Sequence, residues 1–126
     1  MDIRKMEKAV ITALEDIKAR DIVVLKVAHL SPLFERVIIA SAESTRQVKA
    51  LAANVRDKLK AFGASVISTE GEESGEWVLV DLGAIVVHVM QPTIRQYYNL
   101  EELWDQPEPK RPRARKKAEP AQSASR

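Results

Sequence analysis

Apolar residues near the start of the chain recur at helical spacing. Met6, Val10, Leu14 and Ile17 step by four, four and three, with Ile3 and Ala13 beside them. They form one stripe on a helix predicted over 3–19. The pattern then shortens to β-branched runs. Residues 22–27 (Ile-Val-Val-Leu-Lys-Val) read as a strand, Ser31-Pro32 interrupts it, and Val-Ile-Ile-Ala at 37–40 begins a second. Ser44-Thr45-Arg46-Gln47 has the capping-box form, a hydroxyl followed three positions later by an amide that together satisfy free backbone N–H groups. Val48, Leu51, Ala52, Val55, Leu59 and Phe62 then repeat at helical spacing, and Gly63 stands just past the end. A helix over 45–62 is predicted. Three further strands are expected at 65–68, 76–81 and 85–90, joined by the polar loop 70–75 and by Leu82-Gly83. Pro92 opens a short helix through Tyr98, and residues 99–104 add a last turn.

The order is α-β-β-α-β-β-β-α. A strand, a capped helix and a strand imply one right-handed parallel crossover, and the short loops imply antiparallel pairs. Val78-Leu79-Val80 and Ile85-Val86-Val87 are apolar on both faces, so helices are expected to cover both. The predicted fold is a single α/β domain, a mixed five-stranded sheet covered by helices on both faces. No internal repeat is found.

Charge changes this picture along the chain. The 126 residues carry 20 basic and 18 acidic side chains. Residues 107–126 hold seven basic and two acidic groups, a net of +5, which leaves −3 on residues 1–106. That terminal segment has four of the six prolines and no Val, Ile, Leu or aromatic residue. It has nothing to bury against the entropy of ordering, so 1–105 is expected to fold and 106–126 to be a disordered basic tail. There is no Cys, which removes disulfide, Fe–S, thiolate-zinc and cysteine-nucleophile chemistry. The N-terminus lacks the pattern of a secretory signal and no run is long enough to span a membrane, so a cytoplasmic protein without membrane contact is expected.

Candidate chemistry is sparse. Glu70, Glu72, Glu73 and Glu76 form an acidic loop, but without the ligand alternation of a calcium loop; a solvated hairpin explains it as well. His88 shares a strand face with Val86 and Met90, and Asp81 on the neighbouring strand is the carboxylate that would orient it in acid–base work. A histidine packed on the sheet is the plainer reading. His29 is the only other histidine, which argues against a histidine metal site. Glycine-rich phosphate loops, a nucleophile elbow and paired Asp ligands are absent from the sequence. Trp77 reads equally as core or as an exposed anchor. Tyr97, Tyr98 and Trp104 most simply fix the last helix to the sheet. The tail offers a weak RNA contact, while the body shows no basic face interleaved with aromatics.

Taken together, the segment 44–49 (Ser-Thr-Arg-Gln-Val-Lys) after 37–41, Glu70-Gly71, the run 76–83 (Glu-Trp-Val-Leu-Val-Asp-Leu-Gly), 86–89 (Val-Val-His-Val) and 97–104 (Tyr-Tyr-Asn-Leu-Glu-Glu-Leu-Trp) closely resemble the Iojap-like ribosomal silencing factor family. The likeness runs from about Ile3 to Trp104 and departs at Lys26, Ala42-Glu43 and Ala84. The resemblance implies a nucleotidyltransferase-like fold without catalytic carboxylates, no cofactor, and a non-enzymatic translational repressor. It implies binding to ribosomal protein fourteen of the large subunit, which blocks subunit joining when nutrients are scarce. On that reading Trp77 and Leu82 give apolar contact with Met90 beside them. Asp81 gives charge or fixes the hairpin end, Gly83 makes the turn, and His88 packs near the site. Monomer and homodimer both stay open. The rival readings are a divergent nucleotidyltransferase-like enzyme using Glu70, Glu72 or Asp81 with Mg²⁺, and an RNA-binding protein acting through its tail.

Overall fold

The computed structural model describes residues 2–104; the expected disordered tail lies outside them. Nine elements follow one another: α1 (Ile3–Asp16), β1 (Arg20–Lys26), β2 (Arg36–Ser41), α2 (Thr45–Ala61), β3 (Ser68–Glu70), β4 (Trp77–Asp81), β5 (Ile85–Met90), α3 (Pro92–Tyr98) and α4 (Leu100–Trp104).

The five strands form one mixed sheet in the order β1-β2-β5-β4-β3. Pairing is antiparallel for β1–β2, β5–β4 and β4–β3, and parallel for β2–β5. The crossover through α2 leads to a strand parallel to β2, as expected: β3 lies at the far edge, and β5 fills the place next to β2. The three strands after α2 are joined by two hairpin connections, so the last of them returns to the centre. There β5 is buried along its whole length, which its continuous apolar run permits.

Helices α1 and α2 cover one face. Val10, Leu14, Leu51, Val55 and Leu59 pack there against Ile38, Ala40, Val78, Val80, Val87 and Val89. The other face has a smaller core of Val27, Val37, Ile39 and Met90, against which Phe34, Ile94, Leu100 and Trp104 pack. Phe34 and Trp104 meet edge to face at 5.4 Å, so Trp104 does fix the last helix to the sheet. Arg95 of α3 is buried and ties this layer down. Its Nη1 donates to Ser41 Oγ at 2.7 Å, and its Nε and Nη2 donate to Glu101 Oε2 at 3.2 and 3.0 Å.

Local boundaries differ from the sequence reading for identifiable reasons. Helix α1 ends at Asp16 because Lys18 takes a left-handed conformation (φ 60°) and Ala19 N–H bonds back to Leu14 O. No glycine marks this stop. Strand β3 begins at Ser68 because its length is set by pairing with β4, Ser68 opposite Asp81 and Glu70 opposite Leu79. The α2 cap forms as expected at its first arm, with Gln47 N–H donating to Ser44 Oγ at 3.1 Å. Its return arm reaches one residue further, from Glu43 N–H to Gln47 Oε1 at 3.3 Å. The amide nitrogen of Gln47 also donates to Ile17 O at 3.1 Å, which locks the end of α1 to the start of α2.

Candidate functional site

Because α3 and α4 lie over β1, β2 and the end of β5, the β5–β4–β3 half of that sheet face is less covered, its β5 side chains buried but those of β4 half-exposed. Strand alternation puts Trp77, Leu79 and Asp81 of β4 on it, together with Val86 and His88 of β5 and Ser68 and Glu70 of β3. The centre of this half-face is an aromatic cluster. Trp77 is half-buried, and its Nε1–H donates to His88 Nδ1 at 2.9 Å. Trp77 faces Tyr98 with ring centroids 4.9 Å apart, and Tyr98 meets Tyr97 nearly perpendicularly at 5.0 Å. Tyr97 is 78% exposed and Tyr98 53%.

His88 is therefore a support for the indole. It is buried, and burial pushes its pKa down from 6.5 to about 4. A neutral Nδ1 is also what accepting the indole N–H requires. Since the folded pKa lies below the unfolded one, the unfolded chain binds the extra proton between these values, and stability falls as pH drops through that window. Urea unfolding at pH 7 and pH 5 should show a loss of about 2 kcal/mol attributable to this residue. His88→Gln keeps an acceptor for Trp77 and should remove that part of the pH dependence; an unchanged pH dependence would contradict the assignment.

Asp81 does not orient His88. Its Oδ1 accepts the Gly83 N–H at 2.9 Å and so fixes the β4–β5 turn, in which Gly83 takes φ 88°. Leu82 is 4% exposed and belongs to the core against α1 and α2. Met90 is fully buried in the smaller core. Both were expected to give apolar contact to a partner; the fold buries both, one in each core. Trp77, Gly83, Asp81 and His88 are brought together at the less covered half-face and its hairpin end.

Sequence reasoning passed over Tyr97 and Tyr98 as surface groups, because helical docking was the simpler use for aromatics there. A usable signal for the charge of this surface does exist. Between Lys60 and Arg95 the chain has five acidic residues and no Lys or Arg. Of these, Glu70 and Glu76 are exposed and Asp81 half-buried, while Glu72 is engaged by Arg56 from α2 at 2.9 Å. Among the described residues no group of three or more His, Asp or Glu gathers as a metal would require. No helix among them is long and apolar enough to cross a membrane.

A small mixed α/β domain with an acidic, aromatic-centred half-face is the class that these features define. The whole chain, residues 1–126, matches the family model described as ribosomal silencing factor during starvation. The chain belongs to that family. It is 54% identical over 104 residues to the ribosomal silencing factor RsfS of Chromobacterium violaceum, covering 82% of this chain and 85% of that one. A crystal structure of a protein from the same organism superposes with a TM-score of 0.82 at 52% identity, covering 87% of this chain and 92% of the other. A more distant relative is the mouse protein named mitochondrial assembly of ribosomal large subunit protein 1, 32% identical over 97 residues, 75% of this chain and 42% of that protein.

Proposed function

We propose that the chain represses translation by docking its less covered half-face on ribosomal protein fourteen of the large subunit, and that it blocks subunit joining by occupying the space the small subunit needs. Trp77 carries the reading. Its indole is oriented by His88 and Tyr98, half-buried, and surrounded by acids with no neighbouring Lys or Arg in its segment. A preorganised aromatic anchor on an acidic surface suits a basic ribosomal protein, because the ring gives apolar contact and the surrounding acids steer the encounter. The large subunit as the target is supported by the name of the mouse relative.

Repression of this kind needs no turnover. An interface of ordinary size, about 1,200–2,000 Å², holds a factor specifically, and steric exclusion does the rest. Leu82 and Met90 contribute by fixing the sheet around Trp77, and Gly83 with Asp81 by fixing the hairpin end. The test is a sucrose gradient of large subunits, small subunits and the chain together. The chain should travel with the large subunit, and the peak of joined ribosomes should shrink. Migration with the small subunit would overturn the proposal.

A further inference from the structure

The face of the molecule away from Trp77 has the opposite character. Helices α1 and α2 run antiparallel, with Asn54 Nδ2 donating to Ala13 O at 2.8 Å at mid-length and Gln47 reaching Ile17 O at one end. At the other end they leave a groove of about 670 Å³. Lys5, Lys8 and Thr12 of α1 line it, with Lys58, Ala61 and Phe62 from the end of α2. Its volume lies within the range of small-molecule clefts, about 300–1,000 Å³.

Two features of this groove stand apart from the cores and the ion pairs of the fold. Phe62 closes α2 but belongs to neither core and is 54% exposed. Among the described residues Lys5 and Lys8 take part in no ion pair. Lys58 bonds Asp16 at 2.7 Å, but both side chains remain nearly half-exposed. The other acid nearby on α2, Asp57, lies 3.8 Å from Arg56. Lysines around an exposed flat ring are the elements of a single-strand platform, in which a base stacks while flanking phosphates meet the cations.

We propose that the α1–α2 groove is a second binding site, for single-stranded or looped RNA, with Phe62 stacking a base and Lys5, Lys8 and Lys58 holding phosphates. An acidic peptide would satisfy the lysines but leave the ring unused. The groove lies on the side of the sheet opposite Trp77, so both surfaces can be occupied at once, and an RNA segment would add its affinity to that of the protein contact. The sequence hid this site, because its cations sit on two helices, about fifty residues apart in the chain, and within a body of net negative charge.

The test is the fluorescence anisotropy of a labelled decauridylate with the full chain at two salt concentrations. Lys5→Glu with Lys8→Glu should weaken binding at least tenfold. It should also lower the slope of log affinity against log salt by about 1.4, roughly 0.7 for each phosphate that is no longer neutralised. Phe62→Leu keeps the apolar bulk and removes the aromatic face, and should weaken binding about fivefold or more. Trp77→Ala should bind the oligonucleotide as the parent does. Three results would overturn the proposal: groove variants with the parent's affinity and salt slope, equal weakening by Trp77→Ala, or equally tight groove-dependent binding of a charge-matched oligoglutamate. The measurement needs no ribosome, so its failure leaves the docking of the opposite face to be judged separately.

Discussion

Trp77→Ala is expected to abolish co-sedimentation with large subunits while the circular dichroism spectrum stays that of the parent. Central aromatic anchors cost about 2 kcal/mol or more when truncated, at least thirtyfold in affinity. Here the loss is compounded. Removing the indole takes away the ring that Tyr98 packs on and the donor that His88 accepts from. The fold should survive, because Trp77 packs only at the border of the smaller core, and the larger core against α1 and α2 does not contain it. Trp77→Phe should fall between, keeping an aromatic ring but leaving His88 Nδ1 without its donor. Undiminished co-sedimentation of Trp77→Ala, with the spectrum intact, would remove the anchor from the proposal.

Gly71→Ala should be the most destabilising single-methyl change in the β3–β4 region. Gly71 sits at φ 89°, and an added Cβ would lie 2.1 Å from the carbonyl oxygen of Trp77. That neighbour is backbone and cannot rotate away, so either the loop or the first residue of β4 must shift. A cost of about 2–4 kcal/mol is expected, from left-handed strain together with the clash. Gly83→Ala is the matched control. It has φ 88°, but its nearest neighbour is the Ile67 side chain at 3.4 Å, an ordinary contact. It should cost only the strain, about 1–2 kcal/mol. Urea unfolding of both variants decides the matter; equal losses would contradict the steric argument. Because Gly71 abuts Trp77, Gly71→Ala should weaken large-subunit binding as well.

Much of the scaffold was legible because its signals are local. The Ser44–Gln47 cap, the apolar stripe of α2 and the terminal Gly63 sit within one short stretch, and hydrogen bonding and dihedral preference act at that range. Strand order was harder, since nothing local in β3 says that it goes to an edge while β5 returns to lie beside β2. That choice depends on which strand is apolar on both faces, a comparison between segments far apart in the chain. The end of α1 was obscured by Lys18, which adopts a conformation usually left to glycine.

At the site, the residue types were readable and their surroundings were not. Trp77 and His88 were both singled out, but their hydrogen bond depends on a diagonal register across β4 and β5 that fixes Trp77 opposite Met90. Leu82 stands one step past Asp81 and turns into the larger core. Met90 shares a face with Trp77, yet the layer of α3 and α4 closes over it, which strand alternation alone does not reveal. Arg95 escaped notice altogether. A lone arginine in a short helix looks like a solvated group, and only the fold brings Ser41 and Glu101 to it.

Subunit joining itself is the decisive measurement. Large subunits are preincubated with increasing amounts of the chain, small subunits are added, and joined ribosomes are followed by light scattering. Joining should fall in proportion to the chain bound and reach its floor near one chain per large subunit, and Trp77→Ala should leave it undiminished. Full joining with the parent chain saturating the large subunit would contradict repression by occlusion.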